Sequence, residues 1–224
     1  MTEQGSIESS ASTTPAPGEQ NEVLSALKRF TRSRPKLERC ELCSAGLDAV
    51  HAHLLDRKSR QVVCSCDACA ILFSDQQDGK FARVPRRVRQ LRDFSFTDLE
   101  WEQMMLPINM AFFLRNATGG MTVMYPSPAG AIESQIGVAD WDDLVRGHPA
   151  LESMQPEVEA LIVNRISTPA VYVVAPIDEC YRLVGVIRTK WRGLSGGTDV
   201  WAAITEFFDE LRKKADGAPE VRRG

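Results

Sequence analysis

The sequence has no long apolar run and no excess of one charge sign, and each absence excludes a class of protein. It carries 27 Lys and Arg against 30 Asp and Glu, so its net charge of -3 attracts neither nucleic acid nor an anionic membrane as a whole. Arg, Asp or Pro interrupts every apolar stretch before the roughly 20 residues that span a bilayer. We therefore do not expect an integral membrane protein, and we expect no attraction of nucleic acid by the chain as a whole.

The first 20 residues also lack a basic start, an apolar stretch and a twin-arginine pair. Export is not expected, which leaves the cytoplasm as the predicted location. The same residues are rich in Ser, Thr, Pro, Gly and Glu, and this composition predicts a disordered tail. Residues 22–31 then place apolar side chains at helical spacing and predict a short amphipathic helix.

Cysteine and histidine are scarce, but four of the six cysteines stand in two close pairs. Two residues separate Cys40 from Cys43 and Cys66 from Cys69, and 22 residues lie between the pairs. In a reducing compartment such pairs favour metal binding over disulfides. Two loops of this kind can close a tetrahedral site around Zn²⁺. The sequence therefore predicts Zn²⁺ at Cys40, Cys43, Cys66 and Cys69, in a structural role because four thiolates leave no open position.

Three further side chains near these pairs are rivals for a ligand position: Cys64, His51 and His53. Cys64 and Cys66 point to the same face if the strand continues that far, so either thiol could complete the site. The choice stays open at this stage.

Two other chemistries could use the same residues. Iron bound as in rubredoxin would take the same four thiolates, but Ser44 and Ala70 replace the glycine that usually follows each pair there. The His51-Ala-His53 segment resembles part of an HNH nuclease, yet no Asn or further His stands at the later positions of that family, and His148 is about 95 residues away. A structural zinc site is the favoured interpretation.

A hairpin is predicted between the cysteine pairs, with strands at 50–55 and 61–65 and a turn at 57–60. The segment DACAILFS, which contains Cys69, is compatible with a helix. Knuckle, hairpin and helix in this order resemble a treble-clef zinc finger.

Beyond the hairpin, helices and strands alternate irregularly. Thr97 and Glu100 predict a helix that begins with a capping box. The remaining predicted elements are strands at 108–114 and 121–125, helices at 141–145 and 157–164, strands at 170–177 and 181–190, and a final helix around 200–211. This order predicts an α+β fold, with an N-terminal treble-clef-like zinc module followed by a helix-covered, mostly antiparallel sheet.

The predicted organisation has four parts. Residues 1–36 form the tail with its short helix, 37–80 the zinc-binding module, 81–215 the α+β domain and 216–224 a flexible tail. Within the third part, the arginine-rich segment from Arg83 to Arg92 could contact phosphates, but it is better interpreted as a half-buried edge segment. Cys180 and His148 could be a nucleophile and base, but no third group accompanies them, so no catalytic residue is predicted.

Several motifs together resemble an uncharacterised bacterial family that is encoded beside the genes of high-affinity [NiFe] hydrogenases. The resemblance covers about residues 37–212 and rests on CELC, HAHLLD, CSCDACAILF, RVPRRVR, YPSPAGAIES, ALIVNR, PIDECYRLVG and WRGLSGG. It implies a partner among the hydrogenase subunits or maturation factors, and it carries over no catalytic residue. The expected function is a zinc-stabilised, non-enzymatic accessory in hydrogenase assembly, maturation or docking. An iron–thiolate electron carrier and a nucleic-acid-binding zinc protein are the alternatives.

Overall fold

Two antiparallel sheets and the helices around them make up the part of the chain that the structure describes. This structure is a computed structural model, and it describes residues 38–74, 79–134 and 141–216. The predicted tail and helix of residues 1–36, and all but the first residue of the predicted C-terminal tail, lie outside these ranges.

The smaller sheet contains the predicted hairpin. Its strands β1 (Ala52–Asp56), β2 (Gln61–Ser65) and β3 (Phe81–Arg83) lie in the order β2-β1-β3. Asp56 closes the turn, because its carboxylate accepts the N–H groups of Lys58 and Ser59 at 2.9 and 3.1 Å. Helix α1 (Asp67–Ser74) follows β2 directly. The hairpin and the helix after it are confirmed.

The larger sheet has six strands in the order β4-β9-β8-β5-β6-β7, and each neighbouring pair is antiparallel. Its strands are β4 (Arg89–Gln90), β5 (Met110–Arg115), β6 (Met121–Ser127), β7 (Gly130–Glu133), β8 (Glu159–Asn164) and β9 (Val171–Pro176). The helices are α2 (Asp98–Gln103), α3 (Trp141–Gly147), α4 (Ile177–Lys190) and α5 (Thr198–Asp216), with a 3-10 turn at Pro149–Leu151. The α+β class and the antiparallel pairing are confirmed.

The central strands are buried on both faces, so the large sheet separates two cores. Phe112 of β5 packs with side chains of α4 and α5, whereas the adjacent Phe113 packs on the other face with Trp101 and Leu151. Leu55 of the small sheet belongs to the first of these cores. None of the helices in the described ranges has both the length and the apolar character needed to cross a membrane.

The two sheets are also joined across the predicted boundary at residue 80. Strand β3 begins at Phe81, just beyond that boundary, yet it pairs with β1 of the hairpin. Ala82 of β3 packs in the same core as Ile162 of the large sheet. Residues on both sides of residue 80 therefore pack in the same core. That the two parts fold separately stays a prediction.

Two predicted elements have the wrong secondary structure. Residues 157–164 were expected to form a helix, but 159–164 form β8, which is buried along its whole length. A strand buried on both faces shows no alternation, so an apolar run of this length is easily mistaken for a helix.

Residues 181–190, expected to be a strand, lie in α4 instead. Leu183, Val184 and Ile187 are buried against the sheet while Gly185 and Arg188 face outward, which is a helical period. The β-branched residues of this segment favour a strand locally, but packing on the sheet outweighs that weak preference.

Candidate metal centre

The first cysteine pair lies on a tight knuckle at the start of the described chain. An isolated β-bridge joins Arg39 to Gly46, and the N–H of Cys40 donates to the carbonyl of Ala45 at 2.8 Å. Ser44 turns the chain with a φ of 64°, in the left-handed region. This fold of the backbone holds Cys40 and Cys43 on one side of the loop, where both sulfurs can face a single ion.

The second pair lies where β2 gives way to α1. Cys66 immediately precedes the helix, Cys69 lies in its first turn, and the N–H of Cys69 donates to the Cys66 sulfur at 3.4 Å. The knuckle is held close to this junction, because the N–H of Glu41 donates to the carbonyl of Cys64 at 3.0 Å.

The structure brings all four predicted thiols together. Their sulfur atoms lie within 4.8 Å of one another. The Cys43 and Cys66 sulfurs are 3.7 Å apart, close to the about 3.8 Å that Zn–S bonds of about 2.3 Å at a tetrahedral angle require. Cys40 and Cys69 are buried, whereas Cys43 is exposed. The arrangement could hold a metal ion that is reached from the Cys43 side.

The electrostatic environment of the four thiols is uneven. Burial raises the pKa of Cys40, but backbone N–H groups of Cys66, Cys43 and Leu42 stabilise its thiolate, and the net pKa is about 6. Burial and the neighbouring cysteines raise the pKa of Cys69 to about 12. Several sulfurs compete for negative charge in one small volume, and a bound cation would relieve this repulsion.

The three rival ligands form a separate cluster. His51, His53 and Cys64 offer atoms that lie within 4.8 Å of one another. Cys64 is paired with His53 across the hairpin and does not join the four-cysteine group. The geometry therefore favours Cys66 over Cys64 as the fourth thiol.

The arginine-rich segment is engaged within the chain. Arg87 holds the buried carboxylate of Glu159 through Nε and Nη2 at 2.7 and 3.0 Å, and Arg92 pairs with Asp216 at 2.7 Å. These ion pairs agree with a half-buried edge segment. They oppose its use as a row of free phosphate-binding groups.

Cys180 and His148 lie on opposite faces of the large sheet. Cys180 is in the core that contains Phe112, and burial raises the pKa of its thiol well above the ordinary value. His148 packs on Phe94 and Phe96, with ring centroids 4.6 and 5.4 Å away. The structure thus separates the two residues considered as a nucleophile and base.

Sequence reasoning missed the acidic side chain that completes the histidine cluster. Asp178 of α4 accepts from Nδ1 of His53 at 2.7 Å, across 125 residues of sequence. No local pattern marks such a partner, because the contact depends on how α4 packs beside the hairpin.

The family comparison matches residues 39–215 to a family of unknown function, DUF5947. The chain belongs to that family. The match confirms the prediction of an uncharacterised family and covers both sheets and the four cysteines. No curated protein and no solved structure matches the chain. A function for this member of DUF5947 must therefore be derived from its site.

Proposed function

We propose that this protein is a zinc-stabilised, non-enzymatic accessory of [NiFe] hydrogenase that acts by contact in assembly, maturation or docking. The observation that carries the proposal is the convergence of four thiols, Cys40, Cys43, Cys66 and Cys69, within 4.8 Å. Four thiolates fill a tetrahedral ion and leave no position for a substrate. The ion would then have a structural role.

The elements around the thiols support a treble-clef assignment. A knuckle carries Cys40 and Cys43, the β1–β2 hairpin follows, and Cys66 and Cys69 flank the start of α1. Little apolar surface holds the knuckle in place, since Leu47 is its buried aliphatic residue. A bound ion would supply the free energy that this small core lacks.

Zinc is proposed over iron because the second pair does not lie on a second knuckle. A rubredoxin-like site uses two similar loops, whereas here the helix begins at Asp67, between Cys66 and Cys69. The distinction is simple to measure, because an iron–thiolate centre absorbs visible light and a zinc centre does not.

The partner is proposed from the resemblance to a family encoded beside hydrogenase genes. One feature of the described residues supports action by contact, because α1 exposes 59% of Ile71 and 66% of Leu72. The internal ion pairs of Arg87 and Arg92 count against the nucleic-acid-binding alternative. An exposed apolar pair beside the four-cysteine cluster is the kind of surface that a protein partner covers.

The decisive experiment is a tagged pull-down from cells that express the hydrogenase structural and accessory genes. Wild type should retain hydrogenase subunits, Cys66→Ser should lose both tightly bound zinc and the subunits, and Cys180→Ala should retain both. Cys180 is a matched control because it is a buried cysteine outside the centre. If deletion of the gene leaves hydrogenase assembly, metal content and hydrogen uptake intact, the accessory function is wrong.

A further inference from the structure

We infer that His51, His53 and Cys64 form a second metal site, which binds a divalent first-row transition metal ion and keeps one coordination position open. The site is distinct from the four-cysteine centre and does not depend on the proposed accessory function. It consists of two imidazole nitrogens and one sulfur, all within 4.8 Å of one another.

The hairpin places the three side chains on one face. His53 lies directly opposite Cys64 in the β1–β2 pairing. His51 lies immediately before β1, and its ring contacts the ring of His53 with centroids 4.8 Å apart. Both imidazoles are shielded from solvent, with exposed fractions of 8% for His51 and 27% for His53. Three ligand atoms are thus gathered on a rigid, partly buried surface.

Hydrogen bonds fix which nitrogen of each ring is available. Nδ1 of His51 lies 2.9 Å from the carbonyl oxygen of Asp48, and Nδ1 of His53 lies 2.7 Å from a carboxylate oxygen of Asp178. Both partners accept, so each Nδ1 must carry the hydrogen. In the neutral imidazoles each Nε2 then carries no hydrogen and has a free lone pair. This tautomer can bind a metal ion through Nε2.

These two bare nitrogens face each other at 3.2 Å. Two acceptors at this separation repel unless a positive charge lies between them. Two imidazole nitrogens bound to one tetrahedral ion, at about 2.0–2.1 Å each, lie about 3.3 Å apart. The observed distance therefore fits a shared metal ion, and the Cys64 sulfur is the third ligand.

The competing explanation is a proton in place of the ion. An imidazolium at His53, paired with Asp178, could donate from Nε2 to His51. That arrangement leaves Cys64 without a role in the cluster, whereas a metal ion uses all three groups. The two explanations differ in whether a second metal equivalent binds.

A cavity lies on the imidazole side of the cluster. Its volume is about 520 Å³ and its lining includes His51, His53, Asp178, Arg86 and Arg182. The cavity therefore adjoins both imidazole rings of the cluster. A fourth coordination position would open into this cavity, as in sites that exchange their ligand. Imidazole and thiolate ligands suit Zn²⁺ and Ni²⁺, and chemistry alone makes either ion a suitable occupant.

The test is a Co²⁺ titration of the full chain after the tight centre has been filled with zinc. Wild type should bind a further equivalent, with the visible bands of a tetrahedral site and a thiolate-to-cobalt charge-transfer band. His51→Gln and His53→Gln should not bind it at concentrations that saturate wild type. Cys64→Ser should lose the charge-transfer band. Displacement of the cobalt by Zn²⁺ or by Ni²⁺ then ranks the two ions.

Two further variants distinguish a loss of cobalt binding at the cluster from a loss of the fold. Asp178→Asn keeps an acceptor near His53 but removes the charge, and should weaken cobalt binding by about 10- to 100-fold, as loss of an outer partner usually does. His148→Gln alters a histidine outside the cluster and should bind cobalt like wild type. Thermal melts and circular dichroism should show that every variant is folded.

Absence of a second equivalent in wild type would overturn the site and favour the proton-bridged pair. A second equivalent of equal affinity in the three ligand variants would also overturn it, because the metal would then bind elsewhere. Failure of the four-cysteine centre would be seen differently, as unchanged zinc content in Cys66→Ser, so the two proposals can fail separately.

Discussion

Arg87 and Glu159 form a two-point ion pair that fastens the segment after β3 to the central strand β8. Glu159 is fully buried, and its carboxylate accepts Nε and Nη2 of Arg87 at 2.7 and 3.0 Å and the N–H of Gln155 at 2.7 Å. The hydrogen bond and charge of Glu159 raise the pKa of Arg87 further, so the guanidinium stays charged. One arginine of the basic segment therefore neutralises a buried carboxylate while its own side chain stays partly exposed to solvent.

The first prediction follows from the cost of leaving that carboxylate without its partner. Arg87→Ala should lower the free energy of unfolding by about 2 to 4 kcal/mol, somewhat below the range for a fully buried pair because solvent reaches the guanidinium. Arg86→Ala is the matched control. Its side chain is 55% exposed and 3.8 Å from Asp67, so its effect should stay within about 0.5 kcal/mol. Urea melts of both variants test this.

A double variant separates the cost of the unpaired carboxylate from the cost of the lost arginine packing. In the Arg87→Ala background, Glu159→Gln should recover part of the lost stability, because a neutral amide is less costly to bury than an unpaired carboxylate. If the double variant loses at least the sum of the unfolding free energies that the two single variants lose, the loss in Arg87→Ala arises from packing of the arginine side chain.

Local sequence patterns predicted the parts of the fold that local interactions determine. The spacing of Cys40, Cys43, Cys66 and Cys69 indicated the four-thiol group, and the structure brings these residues together. The capping box at Thr97 and Glu100 is present in both directions, with the Thr97 N–H donating to Glu100 at 2.7 Å and the Glu100 N–H donating to Thr97 at 3.2 Å. Partners a few residues apart leave a signature that a single sequence can show.

Contacts between distant residues left no such signature. His53 and Asp178 are 125 residues apart, and Arg87 and Glu159 are 72 apart. The sequence indicated only that the arginine segment could be half-buried, without naming Glu159. Residues 159–164 and 181–190 show the same difficulty at the level of secondary structure, because the first segment is buried within the sheet and the second is buried against it. Contacts between residues that are far apart in the sequence therefore cannot be predicted from local patterns.

A second prediction concerns removal of the proposed structural ion. Zinc binding to small cysteine sites contributes about 10–16 kcal/mol at neutral pH, and the knuckle has little other support. A strong chelator should therefore expose the amides of residues 40–47 and of α1 to hydrogen exchange. The end of α5 should stay protected, since Phe208 and Leu211 are buried in the core of the large sheet.

Hydrogen exchange measured by mass spectrometry gives the answer segment by segment. Equal loss of protection in α5 would show that the proposed zinc module and the large sheet unfold together. Protection that persists at the knuckle without metal would show that the ion does not support it. Adding zinc back should restore the original pattern.

A third prediction concerns acid. The backbone N–H of Thr97 donates to the Glu100 carboxylate and lowers the pKa of Glu100 below its ordinary 4.5. Partial burial opposes this shift, whereas the Thr97 side chain and His148, which is 3.4 Å away, add to it. A lowered pKa in the folded state means that the charge stabilises the fold above the ordinary pKa, and that this stability is lost as the pH falls through the folded pKa. Glu100→Gln keeps the cap but removes the charge.

The difference in stability between wild type and Glu100→Gln should therefore be present at pH 7 and shrink below about pH 4.5. Chemical denaturation at a series of pH values measures it, and taking the difference removes the acid sensitivity that both proteins share through other groups, the proposed metal centre included. A difference that grows as the pH falls would contradict the assignment.

The last prediction locates the partner surface on α1. Ile71 and Leu72 are more than half exposed, although their helix neighbours Cys69 and Ala70 are buried. Exposed apolar residues of this size gain free energy when a partner covers them, by about 1.5–3 kcal/mol for a side chain that becomes fully buried. Replacing both with Ser should leave zinc content and melting temperature nearly unchanged but reduce recovery of hydrogenase subunits.

Leu99, which is 67% exposed on α2, is the matched control, and Leu99→Ser should not affect recovery. Equal recovery with all three proteins would exclude α1 as the contact surface, whereas equal losses would point to nonspecific apolar adhesion.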